Sequence, residues 1–290
     1  MSGWHLTLKQ APTLRLDLRS LLPAALAGLS ADAVARLPLG HGAGVLALGE
    51  LFAVAPHGGD ELRLEGDLRK ADRIGWQLAG GRIRVDGHAG DYVGTGMSGG
   101  EITLAGSAGR LAGCEMSGGL LDIGGDCGDH AASALPGNMD GMRGGVLRVR
   151  GSAGARFGDR MRRGSALVYG DVGDFLASRM VSGSIAVAGR VGAHPGYGMR
   201  RGSVVLAGPA PQLPPTFVAN DASFAVFWQL FSRDLHATAG PSPTCRRAAC
   251  SACSATWGRA ARASCCSPAE PLLDASGAGP ARTRRAAGPL

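Results

Sequence analysis

Along the middle of the chain, apolar residues alternate with polar ones in short runs. Ile83 and Val85, Ile102 and Leu104, Leu121 and Ile123, and Leu147 and Val149 each frame one polar position, while Ile185 and Val187 frame Ala186, and Val204 and Leu206 frame Val205. Alternation of this kind over about five residues predicts a strand with one buried face. A start phrase precedes every run, opening at Leu78, Met97, Met116, Met142, Met161, Met180 and Met199, so that the steps are 19, 19, 26, 19, 19 and 19 residues. Glycine follows three residues after each start, as Gly81, Gly100, Gly119, Gly145, Gly164, Gly183 and Gly202. It returns nine residues after each start, as Gly87, Gly106, Gly125, Gly151, Gly170, Gly189 and Gly208.

A five-residue strand cannot bury its face alone, and a repeat near twenty residues solves this by stacking each unit on the next. The fold expected is an all-β, single-stranded parallel β-helix of seven or eight 19-residue coils, counting a looser copy around "LRLEGDLRKADRIG". At the spacing of hydrogen-bonded strands such a column stands roughly 35 Å tall. Glycine is expected where the chain turns with positive φ and where coils approach closely. The methionines should form an interior ladder, because an unbranched thioether fills irregular gaps; no cluster of other ligands suggests a metal or redox role.

The single 26-residue step leaves seven residues over, which must bulge from the column within "DCGDHAASALPGNMDG". Insertions in solenoids project from one face and often carry contacts. Asp129, His130, Pro136, Asn138 and Asp140 are therefore the candidate partner-contact residues.

Composition removes other functions. The net charge of +7 is concentrated in residues 237–290, where seven Arg face Glu270 and Asp274; residues 1–236 carry only +2. With 5% aromatic residues and no basic stripe, the chain lacks the charge and stacking groups of a nucleic-acid binder. No apolar run reaches the ~18 residues of a bilayer span, and "MSGWHLTLKQ" has no secretory pattern, so a cytoplasmic protein is expected. "GTGMSG" at residues 94–99 fits a dinucleotide fingerprint, but its glycines follow from the repeat and no helix is predicted after it; "GHGAGV" at 40–45 is equally weak. His88, His130 and His194 fall in different coils, which favours unrelated turn histidines over a metal-bound trio. No nucleophile, base and orienting group can be assembled by spacing, so no catalytic residue is assigned.

Four regions are expected: an N-terminal cap over 1–60, the repeat column over 61–212, a C-terminal capping helix over 213–236 and a disordered tail over 237–290. In the cap, "HLTLK" and "TLRLDL" alternate like an antiparallel pair, and Ser30 is placed to cap a short helix ending before Pro38. The cap should close the open strand edge of the first coil. In the third region, Phe224, Phe227, Phe231 and Leu235 recur at helical spacing after Asp221.

The units "MSGGEITLAGSAGRLAG", "MRGGVLRVRGSAGARFG", "MRRGSALVYGDVGD" and "VGAHPGYGMRRGSVV", preceded by "LGELFAV" and "LEGDLRKADRIG", resemble the C subunits of formylmethanofuran dehydrogenase and of the bacterial formyltransferase/hydrolase complex. The wider family includes the carboxy-terminal domain of glutamate synthase, with its Gly-x-x-Gly-x-x-x-Gly coils. The resemblance covers about residues 45–235. It implies a right-handed helix and a structural, non-catalytic subunit that binds no cofactor itself. Its partners would be the A, B and D subunits, which carry zinc, or molybdenum or tungsten, and a methanofuran-type cofactor. Their chemistry is either CO2 reduction to formylmethanofuran or formyl transfer and hydrolysis between tetrahydromethanopterin and a methanofuran analogue. GC-rich composition leans to the bacterial complex. A hexapeptide-repeat acyltransferase or carbonic anhydrase is the enzymatic alternative, disfavoured because its coils take eighteen residues. A glutamate-synthase-like spacer domain is the third reading.

Five of the seven cysteines, Cys245, Cys250, Cys253, Cys265 and Cys266, lie in the tail, which lacks apolar periodicity. A shifted reading frame accounts for this better than a metal site does. Codons for residues 254–258, read from each third base, can spell Gly-Asp-Leu-Gly, and those for 262–267 Gly-Glu-Leu-Leu-Leu, both like the ending that the resemblance leads one to expect.

Overall fold

The computed structural model describes residues 2–217 and Arg233. The expected capping helix bearing Phe224, Phe227, Phe231 and Leu235 and the 237–290 tail lie outside the described residues.

The chain opens with strand β1 (Ser2–Leu8), β2 (Leu16–Asp17), helices α1 (Pro23–Leu26) and α2 (Ala31–Ala35), the hairpin β3 (Pro38–His41) and β4 (Gly44–Ala47), helix α3 (Leu48–Leu51) and the long strand β5 (Phe52–Glu65). Ser30 caps α2 as its sequence position predicts, its Oγ accepting a hydrogen bond from the Ala33 amide at 3.2 Å. The weak "GHGAGV" glycine motif is the turn of the β3–β4 hairpin, with Gly42 at φ +60°.

The expected pairing of "HLTLK" with "TLRLDL" does not occur. β1 pairs antiparallel with β5, Leu8 opposite Phe52 and Leu6 opposite Val54, while β2 joins a small sheet with β3 and with β6 (Ala71–Asp72). The cause is the shape of β5. It bends at Gly58–Gly59 around Ser2, so that Trp4, His5 and Leu6 also lie beside Leu62, Arg63 and Leu64 of its second arm. Alternation identified both segments as strands but carried no information about partner. The result closes the first coil, because β1 occupies the edge that the second arm of β5 would otherwise expose.

From that arm onward one parallel sheet climbs through β7 (Arg82–Asp86), β8 (Glu101–Leu104), β9 (Ser117–Ile123), β10 (Arg143–Val149), β11 (Arg163–Val168), β12 (Ser184–Val187) and β13 (Ser203–Leu206). The fold is thus the parallel β-solenoid of about eight turns that the repeat predicts. Register places like on like: Leu62 beside Ile83, then Ile102, Leu121, Leu147, Ala166, Ile185 and Val204. A second row, further round the coil, is bridged from Ala108 through Cys127, Ala153 and Val172 to Val191. The methionine ladder lies inside, with Met97, Met116, Met142, Met161 and Met180 fully buried. Fully burying such a side chain stabilises by about 1.5–3 kcal/mol, so the narrow core of the column is sustained by stacking of coil on coil.

The two glycine rows serve different needs. Gly119, of the first row, sits at φ +80°, and a Cβ there would also lie 2.8 Å from the Gly100 carbonyl oxygen of the coil below. Gly106, of the second row, has an ordinary φ, yet a Cβ would lie 2.5 Å from the Gly87 carbonyl oxygen. Conformation demands the first, and close approach of coils the second.

Candidate functional site

Before each start phrase the chain turns a corner built from left-handed residues that need not be glycine. Arg73, Tyr92, Leu111, His130, Arg156, Phe175 and His194 form one such row, at φ between 57° and 64°. Two residues on, Gly75, Gly94, Gly113, Ala132, Gly158, Ala177 and Gly196 form a second. Alternating handedness turns successive amides to opposite sides. The His130 amide donates to the Ala155 carbonyl of the coil above, and the Ala132 amide donates to the Ala112 carbonyl of the coil below. Corner amides so placed are satisfied by neighbouring coils, which offsets the cost of the unusual φ.

The seven extra residues leave the column at this corner, as residues 135–141. Met142 regains the coil, and the Arg143 amide donates to the Met116 carbonyl as if no excursion had intervened. Polar contacts hold the excursion. Glu115 Oε1 accepts from the Leu135 amide at 3.1 Å and from Asn138 Nδ2 at 2.6 Å. Arg160 Nη1 donates to the Asn138 carbonyl at 2.9 Å, and Arg162 pairs with Asp140 at 2.5 Å. At the base Ser133 Oγ donates to the His130 carbonyl at 2.6 Å. Pro136, Asn138 and Met139 are exposed, Met139 at 70%.

Beside the excursion lies an open cleft of about 410 Å³, walled by Arg110, His130, Asp159, Arg160 and Arg179 with Leu135–Met139 as its lip. Arg179 grips the buried Asp159 with two hydrogen bonds, Nε to Oδ1 at 3.0 Å and Nη2 to Oδ2 at 2.5 Å. Burial, assisted by the nearby Arg156, pushes the His130 imidazole below its ordinary pKa, so it is neutral at pH 7. The wall therefore draws its charge from arginines, and their excess over Asp159 suits an acidic or carbonyl-rich partner segment.

Of the five sequence-selected residues, Pro136, Asn138 and Asp140 belong to the excursion. Asp129 and His130 belong to the regular coil. Asp129 Oδ1 accepts from the Ala155 amide of the next coil at 2.8 Å, and His130 occupies a left-handed corner position. Sequence reasoning passed over the row that Asp129 represents. Asp126, Asp171 and Asp174 likewise accept from Ser152, Arg190 and Ala193 amides one coil later, each at 2.7 Å. The repeated words "GDCGD" and "GDVGD" were its signal.

The three histidines do not converge. His88 Nδ1 accepts from the Ser107 amide on another corner, His130 lines the cleft, and His194 stacks on Phe175 with centroids 5.1 Å apart. His130 and His194 share a row but stand three coils apart, roughly 14 Å. Among the described residues no cluster of three or more His, Cys, Asp or Glu is placed to hold a metal. Cys114 and Cys127 are buried, and burial pushes both thiols up to about 12. They are protonated at neutral pH and chemically quiet. Residues 94–99 form a corner and lead into β8, so the fingerprint glycines belong to the repeat.

A stacked column of parallel strands with glycine rows on two corners defines a parallel β-solenoid. The profile of the GXGXG motif family matches residues 61–217, more than half of the chain, and the chain belongs to that family. It is similar to the C subunit of the Fhc formyltransferase/hydrolase complex of Methylorubrum extorquens, 44% identical over 76 residues, which is 26% of this chain and 29% of the relative. It is 37% identical over 87 residues to the C subunit of molybdenum-containing formylmethanofuran dehydrogenase 1 of Methanosarcina barkeri, covering 28% of this chain and 29% of the relative. The aligned part thus spans less than a third of the length of these curated relatives. Structural likeness reaches further. A chain in the crystal structure of the Methylorubrum extorquens formyltransferase/hydrolase complex with methylofuran superposes with a TM-score of 0.77 at 42% identity, covering 81% of this chain and 88% of that one. No helix among the described residues is long and apolar enough to cross a membrane.

Proposed function

We propose that this chain is the structural C subunit of a cytoplasmic formyltransferase/hydrolase complex and contributes shape rather than chemistry. The observation that carries the reading is the superposition over 88% of a chain from that complex at 42% identity. The transferase/hydrolase is favoured over the reductive dehydrogenase by the higher identity to the bacterial relative, 44% against 37%. Formyl transfer and hydrolysis then fall to the partner A, B and D subunits, which bind the methanofuran-type cofactor and any metal. The column offers them a rigid wall, and residues 135–141 with the arginine-lined cleft give the contact that fixes which coil meets which partner.

Coexpression with the other three subunits tests this. Copurification of all four is expected, with activity dependent on the partners. A stable monomer with activity of its own would overturn the assignment. Deleting residues 135–141 restores a 19-residue step and should weaken assembly while leaving the circular dichroism of the column unchanged; normal assembly would remove the contact role.

A further inference from the structure

The outward face of the main sheet changes character halfway up. Its lower coils present Arg63, Arg84, Asp86, Thr103 and Asp122, with Arg148 of β10 and Arg150 just after it paired to Asp122, while above them, with Val146 at the margin, the coils present Leu167, Tyr169, Ala186, Val205 and Ala207. These upper side chains point away from the column core, yet Leu167 and Ala186 are 0% exposed and form a hydrophobic cluster separate from it. Short side chains on the outer face of a sheet reach full burial only beneath a covering element. Among the described residues, the apolar side chains grouped with them all lie on the same sheet face.

We propose that residues 218–236 dock across this upper outward face, laying Phe224, Phe227, Phe231 and Leu235 on Leu167 and Ala186. Chain geometry favours this occupant. Phe217 ends the described run with its ring beside Gly196, on the coil that leads into β13, the last strand of the patch. Nineteen residues in a helix span roughly 28 Å. Within it the stripe from Phe224 to Leu235 would span roughly 17 Å, longer than the roughly 10 Å over which the apolar row of β11–β13 extends at sheet spacing. Docked in this way, the segment would also keep that apolar face from recruiting other chains.

The test uses the full chain with the five tail cysteines changed to Ser; Cys114 and Cys127, buried and protonated, stay silent. Cysteine is introduced as Ala186→Cys, or as Thr103→Cys on the charged half of the same face, and each is combined with Phe227→Cys. A short bismaleimide should join Ala186→Cys to Phe227→Cys within one chain and leave the Thr103→Cys pair unjoined. The small maleimide reaction of the single Ala186→Cys variant should be at least about tenfold slower than that of Thr103→Cys, as for a site reached only by local opening. Equal rates would overturn the proposal. So would cross-links formed equally from both positions, or only between chains, the latter assigning the patch to a second copy.

Discussion

Gly119 and Gly137 share a backbone conformation, at φ +80° and +92°, and nothing else. A Cβ at Gly119 would meet Met97 Cε at 2.5 Å and Gly100 oxygen at 2.8 Å, whereas a Cβ at Gly137 would meet nothing within 4 Å. The first belongs to the regular coils, where every position is fixed from above and below. The second belongs to the excursion, held by a few polar contacts from Glu115, Arg160 and Arg162. Repetition therefore supplies rigidity, and departure from it supplies a feature that tells one coil from its neighbours.

The largest expected effect breaks a coil. Gly119→Val combines left-handed strain with overlap on the backbone below, and should cost about 3–5 kcal/mol or prevent folding. Gly137→Val carries only the strain, about 1–3 kcal/mol at an open turn that can relax. Urea unfolding of the two variants measures the gap, and equal losses would show that the coils do not press on each other as described.

Next in size is the ladder. Met161→Ala empties a fully buried site and should cost about 2–5 kcal/mol. Met139→Ala, in the excursion, should change stability by no more than about 0.5 kcal/mol. Met161→Leu is the conservative control, expected within about 1.5 kcal/mol of the parent chain.

These contrasts follow how legible each region is. Strand positions, coil length, the methionine ladder and the size of the excursion could all be read from spacing, because a solenoid writes its geometry once per turn. Where a feature occurs once, spacing is silent. β1 found its partner in a strand some fifty residues on because β5 bends at Gly58–Gly59, and no repeat encodes that bend. The left-handed corners escaped notice because Arg73, Tyr92, His130 and Phe175 share no chemistry, only a hydrogen-bonding geometry. Asp129 looked like part of the insertion because it precedes it, although its carboxylate serves the same purpose as that of Asp174. The outward apolar patch was present as Leu167 and Ala186 between the inward residues of their strands, but alternation speaks only for the face that it buries.

A smaller effect tests the pins of the excursion. Glu115→Ala removes the acceptor shared by the Leu135 amide and Asn138, at about 1–2 kcal/mol of local stability. Hydrogen exchange at residues 135–140 should accelerate while β9 and β10 keep their protection. If the strands loosen as well, the excursion is part of the column's support and the distinction between the two regions fails.

The smallest effect concerns charge, where the lower coils and the excursion again differ. Asp86 lies between Arg84 and Arg63 with its side chain 20% exposed, whereas Asp140 pairs, among the described residues, with Arg162, at exposures of 41% and 45%. Partial burial tends to raise the Asp86 pKa, but the hydrogen bonds from Arg84 and Arg63 outweigh it and hold the carboxyl below its ordinary value. A carboxyl with a lowered native pKa contributes stability above its unfolded pKa of about 3.9, and loses it as pH falls through the lower native value. Asp17, held down in the same direction by Arg19 and Arg73 against partial burial, adds to the same acid limb. Screening by solvent limits each contribution to about 1 kcal/mol or less. Asp86→Asn should therefore narrow the stability difference between pH 6 and pH 3 by a fraction of that amount, measured by urea unfolding at both pH values. An unchanged difference would mean that the arginines beside Asp86 are solvated neighbours only, and that the charged half of the outward face contributes no more order than the excursion does.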